Sequence, residues 1–106
     1  MPKYLLEVRY TLDGVRGVRA EGGSARQSAA TAAAQSVGGT VESFFFAFGG
    51  TDVYVIADLP DNGAAAALAL AVAARGGATV KTVVLLTTAE IDAAVGTEVS
   101  YRPPGS

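Results

Sequence analysis

Thr40-Val41-Glu42-Ser43-Phe44-Phe45-Phe46-Ala47-Phe48-Gly49-Gly50-Thr51-Asp52-Val53-Tyr54-Val55-Ile56-Ala57-Asp58-Leu59 is the stretch on which the fold turns. Its first half, Thr40 to Phe48, carries all four phenylalanines and has the aromatic density of a strand. Gly49-Gly50 can adopt the positive φ angles of a tight hairpin turn. Asp52 to Leu59 then alternates, with Val53, Val55, Ala57 and Leu59 on one side, as a returning antiparallel strand does. The centre of the chain is therefore a hairpin.

On the N-terminal side, Lys3 to Thr11 alternates with a period of two, with Tyr4, Leu6, Val8 and Tyr10 on one face. From Thr11 to about Ala20 the period lengthens to helical spacing, and Gly22-Gly23 interrupts it. Ser24 with Gln27 three residues on matches a capping box, so a second helical piece starts there and ends at Gly38-Gly39. On the C-terminal side, Pro60-Asp61-Asn62 opens an alanine-rich helix to Arg75, closed by Gly76-Gly77. Thr79 to Thr87 reads as a fourth strand, and Thr88-Ala89-Glu90-Ile91 opens a short capped helix to about Val95. The order is βαββαβ, an α+β class chain with a four-stranded antiparallel sheet. Right-handed crossovers make it a ferredoxin-like sandwich with strands one and three central and the helices on one face. Residues 1–95 form the expected domain, and residues 96–106 an extended tail in which Pro103-Pro104 forbids helix.

The composition narrows the chemistry. The 106 residues include no Cys, His or Trp, so thiolate, imidazole and disulfide chemistry are excluded. No spacing suggests three converging carboxylates, and neither a metal nor a cofactor is expected. Eight basic and ten acidic side chains give a net charge of −2, too balanced to point to nucleic acid or a membrane surface. Arg16, Arg19 and Arg26 have no aromatic residues between them on which bases could stack. The apolar run Ala64 to Ala74 is too short to span a bilayer, and the N-terminus has no signal-like apolar segment, so a cytoplasmic protein is expected.

A sheet with helices on one side should have one apolar and one wet face. Here both faces are apolar. Leu6, Val8, Phe45, Val53, Val55, Ala57, Val84 and Leu86 are expected toward the helices, and Leu5, Glu7, Arg9, Phe44, Phe46, Phe48, Tyr54, Ile56, Val83 and Leu85 away from them. A patch of that size marks a binding or subunit surface. Two sheets packed face to face, a dimeric α/β barrel, resolve it. Glu7 and Arg9 must then be paired across strands or line a wet pocket. A small pocket of Glu7, Arg9, Phe46, Tyr54 and Lys81 would suit an acidic or aromatic small molecule.

Other features carry less. Glu21-Gly22-Gly23-Ser24-Ala25-Arg26 could hold an anion at a helix start, but it matches no phosphate-binding spacing. Loss of Met1 would expose Pro2 as a secondary-amine base, as in tautomerases, with Arg9 holding a substrate carboxylate. Ser24 and Ser43 lack a histidine base, and Glu7, Asp52 and Asp58 are the carboxylates available for pairing. The Tyr101-Arg102-Pro103-Pro104 tail either crosses a neighbouring subunit or stays disordered. The expected function is a homo-oligomeric small-ligand-binding module. The alternative is a cofactor-independent enzyme, tautomerase- or oxygenase-like, using the same sheet face.

Glu42 to Ile56 resembles the strand-turn-strand hallmark of the GYD-domain family. Leu59-Pro60-Asp61-Asn62, Glu21-Gly22-Gly23-Ser24 and the Tyr101-Arg102-Pro103-Pro104-Gly105 tail add to the resemblance. The glycine, tyrosine and aspartate of the family are read as Gly49, Thr51 and Asp52, so threonine stands where the family has tyrosine. The resemblance implies a small prokaryotic protein with a ferredoxin-like, dimeric α/β-barrel fold. It supplies no catalytic residue and no substrate.

Overall fold

The structure is a computed structural model describing all 106 residues. The chain runs β1 (Lys3–Tyr10), α1 (Leu12–Glu21), α2 (Gly23–Ser36), β2 (Thr40–Phe46), β3 (Val53–Asp58), α3 (Asn62–Ala74), β4 (Ala78–Leu85) and α4 (Thr88–Val95). The strands form one antiparallel sheet in the order β2-β3-β1-β4, so β1 and β3 are central. No helix is long and apolar enough to cross a membrane.

Local chemistry explains most boundaries. Thr11 caps α1 by accepting the Gly14 N–H, and Asp61 caps α3 by accepting the Ala64 N–H at 2.8 Å. Thr87 and Glu90 form the complete capping box of α4. The expected box at Ser24 and Gln27 is not used. Gly22, with φ of 86°, both ends α1 and begins α2, so Ser24 already lies inside the second helix. A left-handed residue turns the chain more tightly than a serine cap could, and only glycine takes that conformation without strain.

The core lies between the helices and the sheet. Tyr4, Leu6, Val53, Val55, Ala57 and Leu59 are buried there with Ala34 of α2 and Ala65 of α3. The alternation expected in β1 and β3 is observed. In β2 the side chains are reversed from expectation. Phe44 pairs with Val55 and Phe46 with Val53, which puts both rings on the helix face, 5.4 Å apart and edge to face. Phe45 pairs with Tyr54 on the open face, where it is 69% exposed. The cause is a register shift between Val41 and Ser43, after which the strand continues in opposite phase to a plain count from Val41.

The central connection also differs from a two-residue turn. β2 ends at Phe46, and Ala47 to Asp52 form a longer loop closed by the Ala47 N–H donating to the Asp52 carbonyl at 2.8 Å. Gly49 and Gly50 do not have positive φ, and Phe48 protrudes fully exposed from the loop. Leu86 lies beyond the end of β4 and is exposed, not turned toward the helices.

Every residue of 86–106 is exposed, and α4 buries nothing. The chain is 58 Å long, with a radius of gyration of 16.9 Å. A compact domain of this length would have about 13 Å. The difference fits a C-terminal arm standing clear of the sandwich.

Candidate functional site

The pairing register arranges the open face in rows. Lys3 stands between Asp58 and Leu85, and Leu5 between Ile56 and Val83. Glu7 stands between Tyr54 and Lys81, with Phe45 continuing that row beyond Tyr54. Arg9 lies opposite Thr79, two residues further along β1. Directly opposed residues lie about 5 Å apart, so each row is a set of touching neighbours. An apolar row is thus enclosed by two charged ones.

Glu7, Arg9, Tyr54 and Lys81 therefore share one face, as expected from alternation. Phe46 does not join them. Its ring lies on the helix side against the start of α2, where a Cβ on Gly23 would approach it to 3.0 Å. Phe45 takes its place beside Tyr54. The two phases of a run of three phenylalanines look alike in sequence, and only the register shift distinguishes them.

Glu7 is the most enclosed charge of the group, its side chain 21% exposed. Lys81 Nζ lies 3.9 Å from Glu7 Oε2, and the Thr51 hydroxyl donates to Glu7 Oε1 at 3.4 Å. Thr51 thus supports this carboxylate. Arg9 is exposed, and no carboxylate lies within ion-pair distance of it. The arrangement presents one held carboxylate, a lysine and an arginine beside two aromatic rings. Such a set can bind an anion over an aromatic floor. Three concavities of the chain are lined by other residues.

The remaining candidate groups are separated. Asp52 Oδ2 accepts the Tyr10 N–H at 2.8 Å and closes the end of β1. Asp58 is held by Lys3 in the row at the opposite end of the face from Glu7. The three carboxylates considered for pairing thus do three different jobs. Pro2 precedes β1, and its carbonyl accepts the Leu59 N–H. Six strand residues lie between it and Arg9, and the seven residue rises make about 23 Å of extended chain. A single chain cannot bring that amine and that guanidinium onto one small substrate.

The helix side of the sheet holds a concavity that alternation does not reveal. α2 lies over β2 and α3 over β4, so the central strands are covered by side chains and not directly by a helix. Between the helices is a cavity of about 120 Å³ lined by Leu6, Val8, Val53, Val55, Leu68 and Val72, among other apolar groups. The only signal for it in the sequence was the alanine-rich face of α2, too short to reach across.

The chain matches the GYD domain family over residues 4–95 and belongs to it. No curated protein and no solved structure matches it significantly.

Proposed function

We propose that this protein is a homo-oligomer built on its open sheet face, the paired sheets forming a dimeric α/β barrel of ferredoxin-like units. The order βαββαβ with β1 and β3 central supports that architecture. The observation carrying the proposal is the Leu5, Phe45, Tyr54, Ile56, Val83 and Leu85 surface, turned away from the helices. Only ten of the 106 residues are buried in the protomer, so this face is apolar area the single chain cannot use. Covering it with a second copy would exclude water from both patches.

The same assembly would give the charged row its function. A second sheet laid over Glu7, Arg9, Tyr54 and Lys81 would turn an open surface into the wall of a small chamber. The arginine, the lysine and the aromatic rings suit a small acidic or aromatic ligand. The protein would then be a small-molecule-binding module acting in the cytoplasm.

Sedimentation velocity of the full chain tests the assembly. A concentration-dependent dimer is expected, and Phe45→Glu should shift it to monomer without loss of secondary structure. A folded monomer at high micromolar concentration would defeat the proposal, as would a Phe45→Glu variant that dimerises like the parent. Phe46→Glu should behave differently, loosening the end of β2 from the start of α2, because that half-exposed ring packs on the helix side beside Gly23 and Phe44.

A further inference from the structure

We infer that the cavity on the helix side is a second binding site, for a small apolar monocarboxylate. Protein interiors are packed to crystal-like density, and voids larger than a water molecule are few. A cavity of about 120 Å³ at the centre of so small a domain is therefore a feature to be explained. It persists because its walls are short. Ala29, Ala30 and Ala33 of α2 face Leu68, Ala69 and Val72 of α3 across the gap.

The cavity is not closed. It shares Tyr10, Arg26, Ala33, Leu68, Val72 and Ala78 with a wider groove of about 680 Å³ between α1, α2 and α3. The groove changes the chemistry at the mouth. Arg26 and Arg75 both line it, against a single acid, Asp13. Arg75 has no ion-pair partner, and Arg26 is held only by Glu21 at 3.4 Å in a pair open to solvent. Such a surface pair is weak, so the guanidinium is free to turn toward an incoming anion.

An apolar chamber bordered by Arg26, and opening into a groove that also holds Arg75, selects an amphipathic anion. An apolar cavity of about 150 Å³ accepts benzene, which sets the size of the tail at about six carbons. Arginine meets a carboxylate with paired, charge-assisted hydrogen bonds. The site is on the opposite side of the sheet from Glu7 and Lys81, so it is independent of the oligomer interface.

Methyl NMR on the alanine, valine and leucine methyls of the full-length protein tests it. Hexanoate and phenylacetate are the probes, and hexanol and phenylacetamide their uncharged counterparts. Saturable shifts are expected at Ala30, Leu68 and Val72, with the carboxylates binding about tenfold tighter or more than the neutral compounds. Arg26→Gln combined with Arg75→Gln should abolish that preference while leaving neutral binding in place. Ala30→Leu fills the chamber and should remove binding of all four probes, and Ala69→Leu serves if that variant misfolds. The inference is overturned if no probe saturates at millimolar concentration, or if the shifts map to Leu5 and Val83. It is also overturned if neutral and charged probes bind alike, or if the filled variant binds as the parent does.

Discussion

The hydroxyl of Tyr4 donates to Oδ1 of Asn62 at 2.6 Å, fastening the central strand to the first residue of α3. Tyr4 is 1% exposed, and Asn62 lies at the surface. One residue thus fills the core and also ties β1 to the first turn of α3. The ring packs beneath α3 while the oxygen reaches its N-terminal turn, so β1 and α3 are positioned by one side chain.

Tyr4→Phe should keep the packing and lose only the bond. The Asn62 amide can rehydrate, so no buried acceptor is stranded, and the cost should be about 1 kcal/mol. Urea unfolding should show a lower midpoint with an unchanged slope. An unchanged midpoint would mean that the bond contributes nothing net.

The two glycines of α1 should respond to alanine with opposite signs. A Cβ on Gly14 would collide with the Gly77 carbonyl, because Thr11 binds the Gly76 and Gly77 carbonyls and draws the start of α1 onto the start of β4. Gly14→Ala should destabilise the protein. Gly17 has nothing within 4 Å of a new Cβ, so Gly17→Ala should stabilise α1 by up to about 1 kcal/mol through helix propensity. Thermal melts of the two variants decide it, and a shared direction would refute the tight α1–β4 contact.

What the sequence revealed and what it hid divide on physical lines. Helix ends governed by one local interaction were legible to within a residue or two. α3 starts at its Asp61 cap, inside the stretch that reads as its opening. β4, however, stops at Leu85, and the cap of α4 is Thr87, which reads as the end of the fourth strand. Strands with a clean period of two were legible as well, which placed Glu7, Arg9, Tyr54 and Lys81 on one face. Phe46 was misplaced because every residue from Phe44 to Phe46 is apolar, and the phase of such a run is set by a register shift in pairing with β3. The helix-side cavity was hidden for a related reason. Alanine announces close packing, but whether two alanine faces meet or stand apart depends on which strands they cover.

Lys3 gives a pH dependence of definite sign. Its ammonium donates to Asp58 Oδ1 at 2.9 Å and to Glu42 Oε2 at 3.2 Å. The Asp58 bond, then the Glu42 bond, raises its pKa above the usual 10.5. A raised lysine contributes stability that is fully present below 10.5 and lost as the pH rises through the higher folded value. Lys3→Met should therefore be less stable than the parent at neutral pH, and the gap should narrow in strong alkali. Paired urea titrations at neutral pH and above 10.5 check this. A gap that stays constant would show that the methionine acts through packing alone.

The C-terminal arm offers a direct test of the proposed assembly. Eight residues are too few for a helix to persist alone in water. Ile91, Val95, Val99 and Tyr101 are all exposed along the arm, so α4 has no apolar support within its own protomer. A capping box holds its start, and the hydrogen bonds from the Thr87 backbone and side chain hold the Glu90 pKa below 4.5. A lowered carboxylate contributes stability that is present above 4.5 and lost as the pH falls through the folded value. If the arm is supported by a second copy, amide protection over residues 88–95 should rise with protein concentration. Ile91→Asp should abolish that rise without lowering the stability of the sandwich. Acidification through the Glu90 transition should release the same amides before the sheet unfolds. Protection that is strong and independent of concentration would mean that α4 is supported within the single chain, and the arm would then have no part in association.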